Sequence, residues 1–377
     1  MPRGKIEISS KLERIAVLDP AGKVHKDLEP KLSDDELKKL FYTMVKARLF
    51  DERLLRLQRQ GRIGTYGPAT GQEAASLGPV SQLRADDWFI PSFREPAGML
   101  WRGWEMDRIM LWWAGHEYGA TPPEGLNDLP ITVPVGTQVL QAAGIAFAAQ
   151  YRGEDTVAIT FLGDGATAEG DFHEAMNFAG VFNLPMICII QNNGWAISLP
   201  RNKTCCAPTL AQRAVAYGID GVQADGNDIL AMIVATREAI EKARNGGGPT
   251  LIEAVTYRMG VHTTADDPKK YRDEKDVEEW KPRDPITRFH AYLKAKSVLD
   301  DKGRAVMEEQ INEEIRQAIE KAEQYKPDSL DMFRHTYAEM PPHLEEQMQE
   351  CRESIEAQNA PQEPAARSVP VGERVPA

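Results

Sequence analysis

Cysteine is scarce: the 377 residues contain four, Cys188, Cys205, Cys206 and Cys351. None falls at zinc-ligand spacing, and a chain this long does not depend on disulfide staples. The adjacent Cys205 and Cys206 read as reduced thiols in a loop. Basic charge is in deficit, with 45 Lys and Arg against 57 Asp and Glu, a formal net charge of −12. That balance argues against a nucleic-acid partner. Long apolar runs are missing too. None approaches the roughly 18 residues of a membrane span, and the opening MPRGKIEISSKLER lacks the apolar core of a secretory signal. These absences point to a cytoplasmic protein. No GxGxxG joins a first strand to a helix with an acidic residue about 20 positions on, which counts against a dinucleotide-binding dehydrogenase. No internal repeat is visible.

What is present is an ordinary globular composition, 42% hydrophobic and 27% charged. The chain turns on residues 156–198, TVAITFLGDGATAEGDFHEAMNFAGVFNLPMICIIQNNGWAIS. Two short apolar runs, 156–162 and 186–190, are bounded by Gly and Asn and read as buried strands. A helical segment at 171–181 lies between them, so the unit is a parallel crossover. Asp164 and Asn193 then sit at the C-terminal ends of two parallel strands, where open α/β sheets bind ligands.

Elsewhere, Ser33 and Glu36 have capping-box spacing and open a helix to about Gln60. Gln72-Glu73-Ala74 starts another, and residues 86–91 form a short strand entering Ser92-Phe93-Arg94-Glu95. Residues 98–114 carry four tryptophans at helical spacing, a packing signal. A small-residue helix covers 142–149, and strands and helices alternate to 257. The pattern predicts a mainly parallel sheet with helices on both faces. A polar loop follows at 258–285, then helices over 286–325.

A hard divalent cation takes carboxylate and amide oxygens together with phosphate oxygens of a ligand. Asp164 and Asn193 supply two such oxygens, and a carbonyl beyond Asn193 offers a third. Gly165 lets the backbone approach a phosphate ahead of a helix N-terminus. GDG alone is a common turn. GDG followed at this distance by an NN that closes the next buried strand is a specific signal.

That GDG-to-NN pattern resembles the fingerprint of thiamin diphosphate enzymes. GRIGTYGPATGQEA, SFRE, PEGLNDLP, QAAGIAFA, GDGATAEGDFHEAMNFAG, QNNGWAIS and YRMGVHTTADDPKKYR narrow the likeness. Together they resemble the alpha subunits of decarboxylating 2-oxo acid dehydrogenases, bacterial pyruvate dehydrogenases above all. The resemblance runs over about 33–350. It implies an α/β thiamin-diphosphate-binding fold over 33–350, with a helical end at about 286–350, an N-terminal arm at 1–32 and a disordered tail at 351–377.

For the site, the resemblance implies that Asp164, Asn193 and the Trp195 carbonyl hold Mg²⁺. Gly163, Gly165, Ala166 and Gln191 would lie along the diphosphate. Phe93 and Arg94 match an aromatic–Arg pair with the Arg on a phosphate, and Phe93 stands where a Tyr is common. Val135 matches the hydrophobe that props the bent cofactor, and Ile197 joins the cofactor-binding set. Arg258 and His262 match residues at the site mouth, with His262 assisting transfer of the acyl group. Tyr66 is a candidate channel residue.

The resemblance also implies partners: a beta subunit in a two-alpha, two-beta heterotetramer, the lipoyl domain of a dihydrolipoyl acyltransferase, and a small 2-oxo acid substrate. Branched-chain 2-oxo acids and acetoin remain alternatives to pyruvate. An acid from a second, homologous domain completes such sites, and this chain has room for only one.

Overall fold

The computed structural model describes residues 12–334 and 336–359. Its strands are β1 (Leu12–Ile15), β2 (Trp88–Ile90), β3 (Asn127–Asp128), β4 (Ala158–Gly163), β5 (Met186–Asn192), β6 (Trp195–Ala196), β7 (Leu199–Pro200), β8 (Asp220–Asp225) and β9 (Thr250–Val255). Seven of them form one sheet in the order β1-β8-β9-β5-β4-β2-β3. Every neighbouring pair in it is parallel. β6 and β7 form a separate small antiparallel hairpin.

The two apolar runs of the crossover are the central strands β4 and β5, paired from Ala158–Met186 to Gly163–Gln191. Both are buried on both faces, which is why they read as continuous apolar runs rather than as alternation. Ala158, Leu162, Met186, Cys188 and Ile190 share a core with Val139 and Ala142 of the helix Thr137–Arg152. Phe172 and Met176 of the helix Gly170–Phe182 complete that layer. The alternate residues Ile159, Phe161, Ile187 and Ile189 point the other way and are equally buried. The sheet is therefore covered on both sides, as expected.

The segment at 1–32, read as an arm, contributes to the sheet: β1 pairs with β8 from Leu12–Gly221 to Ile15–Ala224. Residues 1–11 lie outside the described part of the chain. What fixes the segment is a buried carboxylate. Asp228 accepts the N–H groups of Val17 (2.7 Å) and Leu18 (2.5 Å), and it also caps the helix Ile229–Arg244 through Leu230 and Ala231. Arg288 adds hydrogen bonds to the carbonyls of Leu18 and Asp19 and an ion pair to Asp225 at 2.9 Å.

Other differences have local causes. The tryptophan-rich stretch is two helices, Pro96–Trp101 and Met106–Trp113, separated by a turn in which Gly103 takes φ +95°. The stretch 258–285 carries the helix Glu274–Trp280, started by Asp273, whose carboxylate accepts from the Lys275 N–H. The helical stretch at 286–325 is the helices Pro285–Ala295 and Asp301–Glu323.

The chain divides into a unit ending at Glu323 and a second beginning at Gln324, so the single body expected over 33–350 is interrupted. The helices of the second unit, Asp331–Arg334 and Pro342–Asn359, contain no fully buried residue; Leu344, Met348, Cys351 and Ile355 of the longer one share a single half-buried face. The tail expected from 351 is still helical to Asn359. The remainder, 360–377, lies outside the described residues.

Replacing Asp228 by Ala removes four accepted hydrogen bonds at once. Unfolding of the full chain in urea should show a loss of roughly 2–4 kcal/mol. Hydrogen exchange at Val17 and Leu18 should accelerate far more than in β4 and β5. Unchanged protection at those two amides would show that the segment is held by other means.

Candidate functional site

Parallel pairing brings strand ends to one edge. β4 and β5 end side by side at Gly163 and Asn192, and β9 ends beside β5 at Val255. Beyond them the backbone remains tied, with Thr256 N–H to the Asn192 carbonyl (2.9 Å) and Arg258 N–H to the Asn193 carbonyl (3.1 Å). β2, the other neighbour of β4, delivers Ser92-Phe93-Arg94 to the same edge. A cavity of about 230 Å³ opens there, lined by Phe93, Arg94, Val135, Gly163, Gly165, Ala166, Asn193, Trp195, Ile197, Arg258 and His262 among others. Residues separated by up to 169 positions are thus gathered as expected. Asp164 and Gln191 do not line it; they lie buried beneath its floor.

Asp164 is the outlier in charge. It is 1% exposed, and neither carboxylate oxygen has a hydrogen-bond partner. Burial raises its pKa to about 6. The other orphaned buried atoms include Gln138 Oε1, Gln191 Oε1, Gln72 Nε2 and Arg258 Nε. Unsatisfied buried polar atoms are rare in folded chains, and these cluster around one cavity.

Opposite this carboxylate stand two buried cations. Arg94 donates to the carbonyls of Pro68 and His262 and faces His262 Nδ1 at 3.0 Å. Arg258 donates to the Ile197 carbonyl (2.7 Å) and Tyr271 Oη (2.8 Å), and faces the same Nδ1 at 3.3 Å. Each guanidinium has five N–H groups, so each retains two. Neither is ion-paired among the described residues. Burial, and then the charge of Arg258, lower the Arg94 pKa to about 10.

An arginine cannot accept a hydrogen bond, so His262 Nδ1 carries no proton and Nε2 carries it. Burial and the two arginines push the His262 pKa down to about 4. The imidazole is therefore neutral near pH 7 and offers a single N–H. Asp266 fixes its loop by accepting the His262 backbone N–H (2.7 Å) and the Tyr271 hydroxyl (2.5 Å).

Backbone geometry adds two features. Ile197 has φ 56°, a left-handed conformation that is strained for a β-branched residue; its carbonyl is the one that holds Arg258. At Gly165 a Cβ would come within 2.5 Å of Ala196 Cβ, so the hairpin β6–β7 itself requires glycine there. A Cβ at Gly163 would meet nothing within 4 Å.

The donor set fits a divalent cation and a diphosphate. Asp164 offers two bare oxygens, Asn193 Oδ1 lies just past the end of the neighbouring strand β5, and Pro200, across the hairpin from Trp195, has no N–H for the Trp195 carbonyl. The buried cations Arg94 and Arg258 suit an anion. Among the described residues no cluster of three His, Cys, Asp or Glu exists, so a zinc-type site is not formed.

One expectation needs correction. Tyr66 is buried at 2% exposure and gives its hydroxyl to Asp51, so it does not line a channel. Glu73, in GQEA, is engaged by Arg48 (2.8 Å) and is structural. Sequence reading gave no role to Glu95, which holds Gln191, to Gln72, which holds Asn193, or to Gln138. Gln72 and Glu95 lie within the GQEA and SFRE segments and Gln138 three residues after Val135, and only their burial marks them.

A metal-free Asp164→Asn chain should be more stable than the parent at pH 8. The folded pKa of Asp164 lies above its unfolded value, so its burial costs most above about pH 6 and nothing below about pH 4. The roughly two-unit shift corresponds to about 3 kcal/mol. Chemical denaturation with EDTA at pH 8 and pH 4 checks this; equal stability at both values would refute it.

A family model described as "Dehydrogenase E1 component" matches residues 42–330. The alpha subunit of the pyruvate dehydrogenase E1 component of Acholeplasma laidlawii is 44% identical over 342 residues, covering 90% of this chain and 99% of that protein. Its counterpart in Bacillus cereus is 43% identical over 350 residues, covering 92% and 94%. That of Staphylococcus epidermidis is 42% identical over 350 residues, covering 92% and 95%. With matches of this extent, and with the strand-end cavity assembled from the same segments, the chain belongs to the dehydrogenase E1 component family.

Proposed function

We propose that the chain is the alpha subunit of a pyruvate dehydrogenase, the component that decarboxylates pyruvate oxidatively and acetylates a lipoyl group on an acyltransferase partner. One observation carries the reading: a buried, unpartnered carboxylate lies at the same strand-end cavity as two buried, unpaired arginines, in a chain that aligns with such subunits over most of its length. Thiamin diphosphate with Mg²⁺ is the group proposed for that cavity. Asp164, Asn193 and the Trp195 carbonyl would hold the Mg²⁺. Gly163, Gly165 and Ala166 would follow the diphosphate, and the free N–H groups of Arg94 and Arg258 would balance its charge; Gln191, expected beside them, turns its Nε2 to Glu95 and presents an oxygen, which suits the cation instead. Phe93, Val135 and Ile197 give the apolar wall. When bound, the cofactor supplies carbanion stabilisation that side chains lack.

The chain's own residues bind, orient and donate. Ile197 and Tyr271 aim Arg258, and both arginines keep His262 in the Nε2–H form. That N–H gives a hydrogen bond to an oxygen or sulfur at the mouth without bringing a positive charge. The cavity of about 230 Å³ is smaller than the roughly 300–1,000 Å³ of complete small-molecule sites, which suits a site finished by a second chain. A surface for one exists. Phe147 and Tyr151 of the helix Thr137–Arg152 and Phe178 and Phe182 of the helix Gly170–Phe182 are exposed and in mutual ring contact, at 4.6 to 6.5 Å. Exposed aromatic clusters of this kind mark protein interfaces. We assign this face to the beta subunit of a two-alpha, two-beta assembly, with the lipoyl domain reaching the mouth near His262. Four unpaired cysteines suit a reducing cytoplasm, and no described helix is long and apolar enough to cross a membrane.

Coexpressed alpha and beta chains should turn over pyruvate faster than 3-methyl-2-oxobutanoate or acetoin, and the alpha chain alone should be inert. Preference for either competitor would reassign the substrate. In the complex, His262→Asn should lower kcat/KM by about 10²-fold or more. Because His262 is already neutral at pH 5.5–8, the shape of the pH profile over that range should not change. A lost ionisation near pH 6.5 in the variant would contradict the neutral-donor role.

A further inference from the structure

Carboxamides have two chemically opposite ends, and only the oxygen can serve a cation. At this site two amides lie beside Asp164, and each is held by a residue outside the cavity. The orientation of Asn193 follows from its neighbours. The Trp195 backbone N–H can only donate, and it meets Asn193 at 3.2 Å, so that atom is Oδ1. The other end, Nδ2, therefore faces Gln72 Oε1 at 3.0 Å. Gln191 is fixed in the same way. Its Nε2 gives a hydrogen bond to Glu95 Oε1, leaving Gln191 Oε1 bare and buried. Glu95 is itself anchored, since its Oε2 accepts the Arg94 backbone N–H at 3.1 Å.

Gln72 and Glu95 are 0% and 2% exposed. The two come from different elements, the start of the helix Glu73–Val80 and the turn after β2. Each consumes the N–H₂ end of an amide next to Asp164. Each amide thereby turns its nitrogen toward its acceptor and its oxygen the other way, beside the buried carboxylate of Asp164. Gln72 Nε2 is left unsatisfied in the process. A buried orphan of that kind is unfavourable, which marks the orientation as maintained at the expense of local satisfaction.

We infer that Gln72 and Glu95 are positioning residues that lock the Asn193 and Gln191 amides with their oxygens toward a divalent cation at Asp164. Loss of either acceptor frees its amide to rotate and present N–H₂ to the cation. This rests on the cation site proposed above and adds to it two residues that touch neither metal nor cofactor.

Mn²⁺ binding to the alpha–beta complex, measured by electron paramagnetic resonance with saturating thiamin diphosphate, tests the inference without reference to turnover. Gln72→Met and Glu95→Met keep side-chain length and remove the acceptor. Each should weaken Mn²⁺ by roughly 10–100-fold, the range seen when the support of a metal ligand is removed. Gln72→Glu restores an acceptor for Asn193 Nδ2 and should recover affinity to within a few-fold of the parent, a recovery that general loosening of the fold would not give. Glu95→Gln, which also retains an acceptor oxygen, serves the second position in the same way and covers a Met variant that fails to fold. Parent-like Mn²⁺ affinity in both Met variants, or no recovery with Gln72→Glu and Glu95→Gln, overturns the inference. Asp164→Ala separates the two levels. If it abolishes Mn²⁺ binding while the Met variants do not, the positioning role alone falls. If Asp164→Ala also binds normally, the cation site itself is elsewhere.

Discussion

A bare carboxylate in a protein interior is expensive, costing several kcal/mol in real proteins even after relaxation, and Asp164 bears that cost without a partner from its own chain. Arg94 and Arg258 present the opposite charge close by and are equally unpaired. Folding thus holds three ions apart that would gain by meeting, and the backbone does the holding. Arg94 is occupied by the Pro68 and His262 carbonyls, and Arg258 by the Ile197 carbonyl and Tyr271. Their neutral acceptors satisfy hydrogen bonds, while Asp51 and Glu95 act on the charge of Arg94, and Asp266 and Asp164 on that of Arg258, without forming ion pairs. The strained φ of Ile197 and the depressed pKa of His262 are consequences of the same restraint.

Such a restraint needs a stiff frame. The parallel sheet supplies it by ending β4, β5 and β9 along one edge, with hydrogen bonds that continue past the strands through Thr256 and Arg258. Support reaches further back. Thr256 Oγ1 contacts Asn227 Oδ1 at 2.6 Å and the Gly71 carbonyl at 3.0 Å, and Asn227 is followed by Asp228, which fastens the N-terminal segment. Val17 is therefore linked through Asp228, Asn227 and Thr256 to the start of the loop that carries His262.

The sequence was most legible where the determinants are local. The strand–turn–helix–strand unit of 156–198 could be read from apolar runs and turn residues, and Asp164 and Asn193 were placed by it. Arg94, Val135 and His262 had no such local signal, since a lone arginine, valine or histidine carries none. They were found through motif resemblance, and the fold then brought them together. β1 was not legible because Leu12–Ile15 is four residues long and polar at two of them; it becomes a strand only against β8. Tyr66 was misread because its hydroxyl is claimed by Asp51, fifteen residues earlier on the helix Asp34–Arg59. Gln72 and Glu95 act through partners 121 and 96 residues away, a separation at which spacing conveys nothing.

The sheet's outer strands carry a consequence of their own. Among the described residues its two rims are β1, four residues long, and β3, two residues long. Rims so short offer few unpaired backbone groups to a foreign strand. Growth by strand addition, the commonest accident of parallel sheets in concentrated protein, is therefore discouraged at both sides. What the molecule exposes for association is side chains on helices, whose recognition depends on shape and can be exclusive. A chain built in this way can remain adhesive toward the right surface and inert toward copies of its own edge.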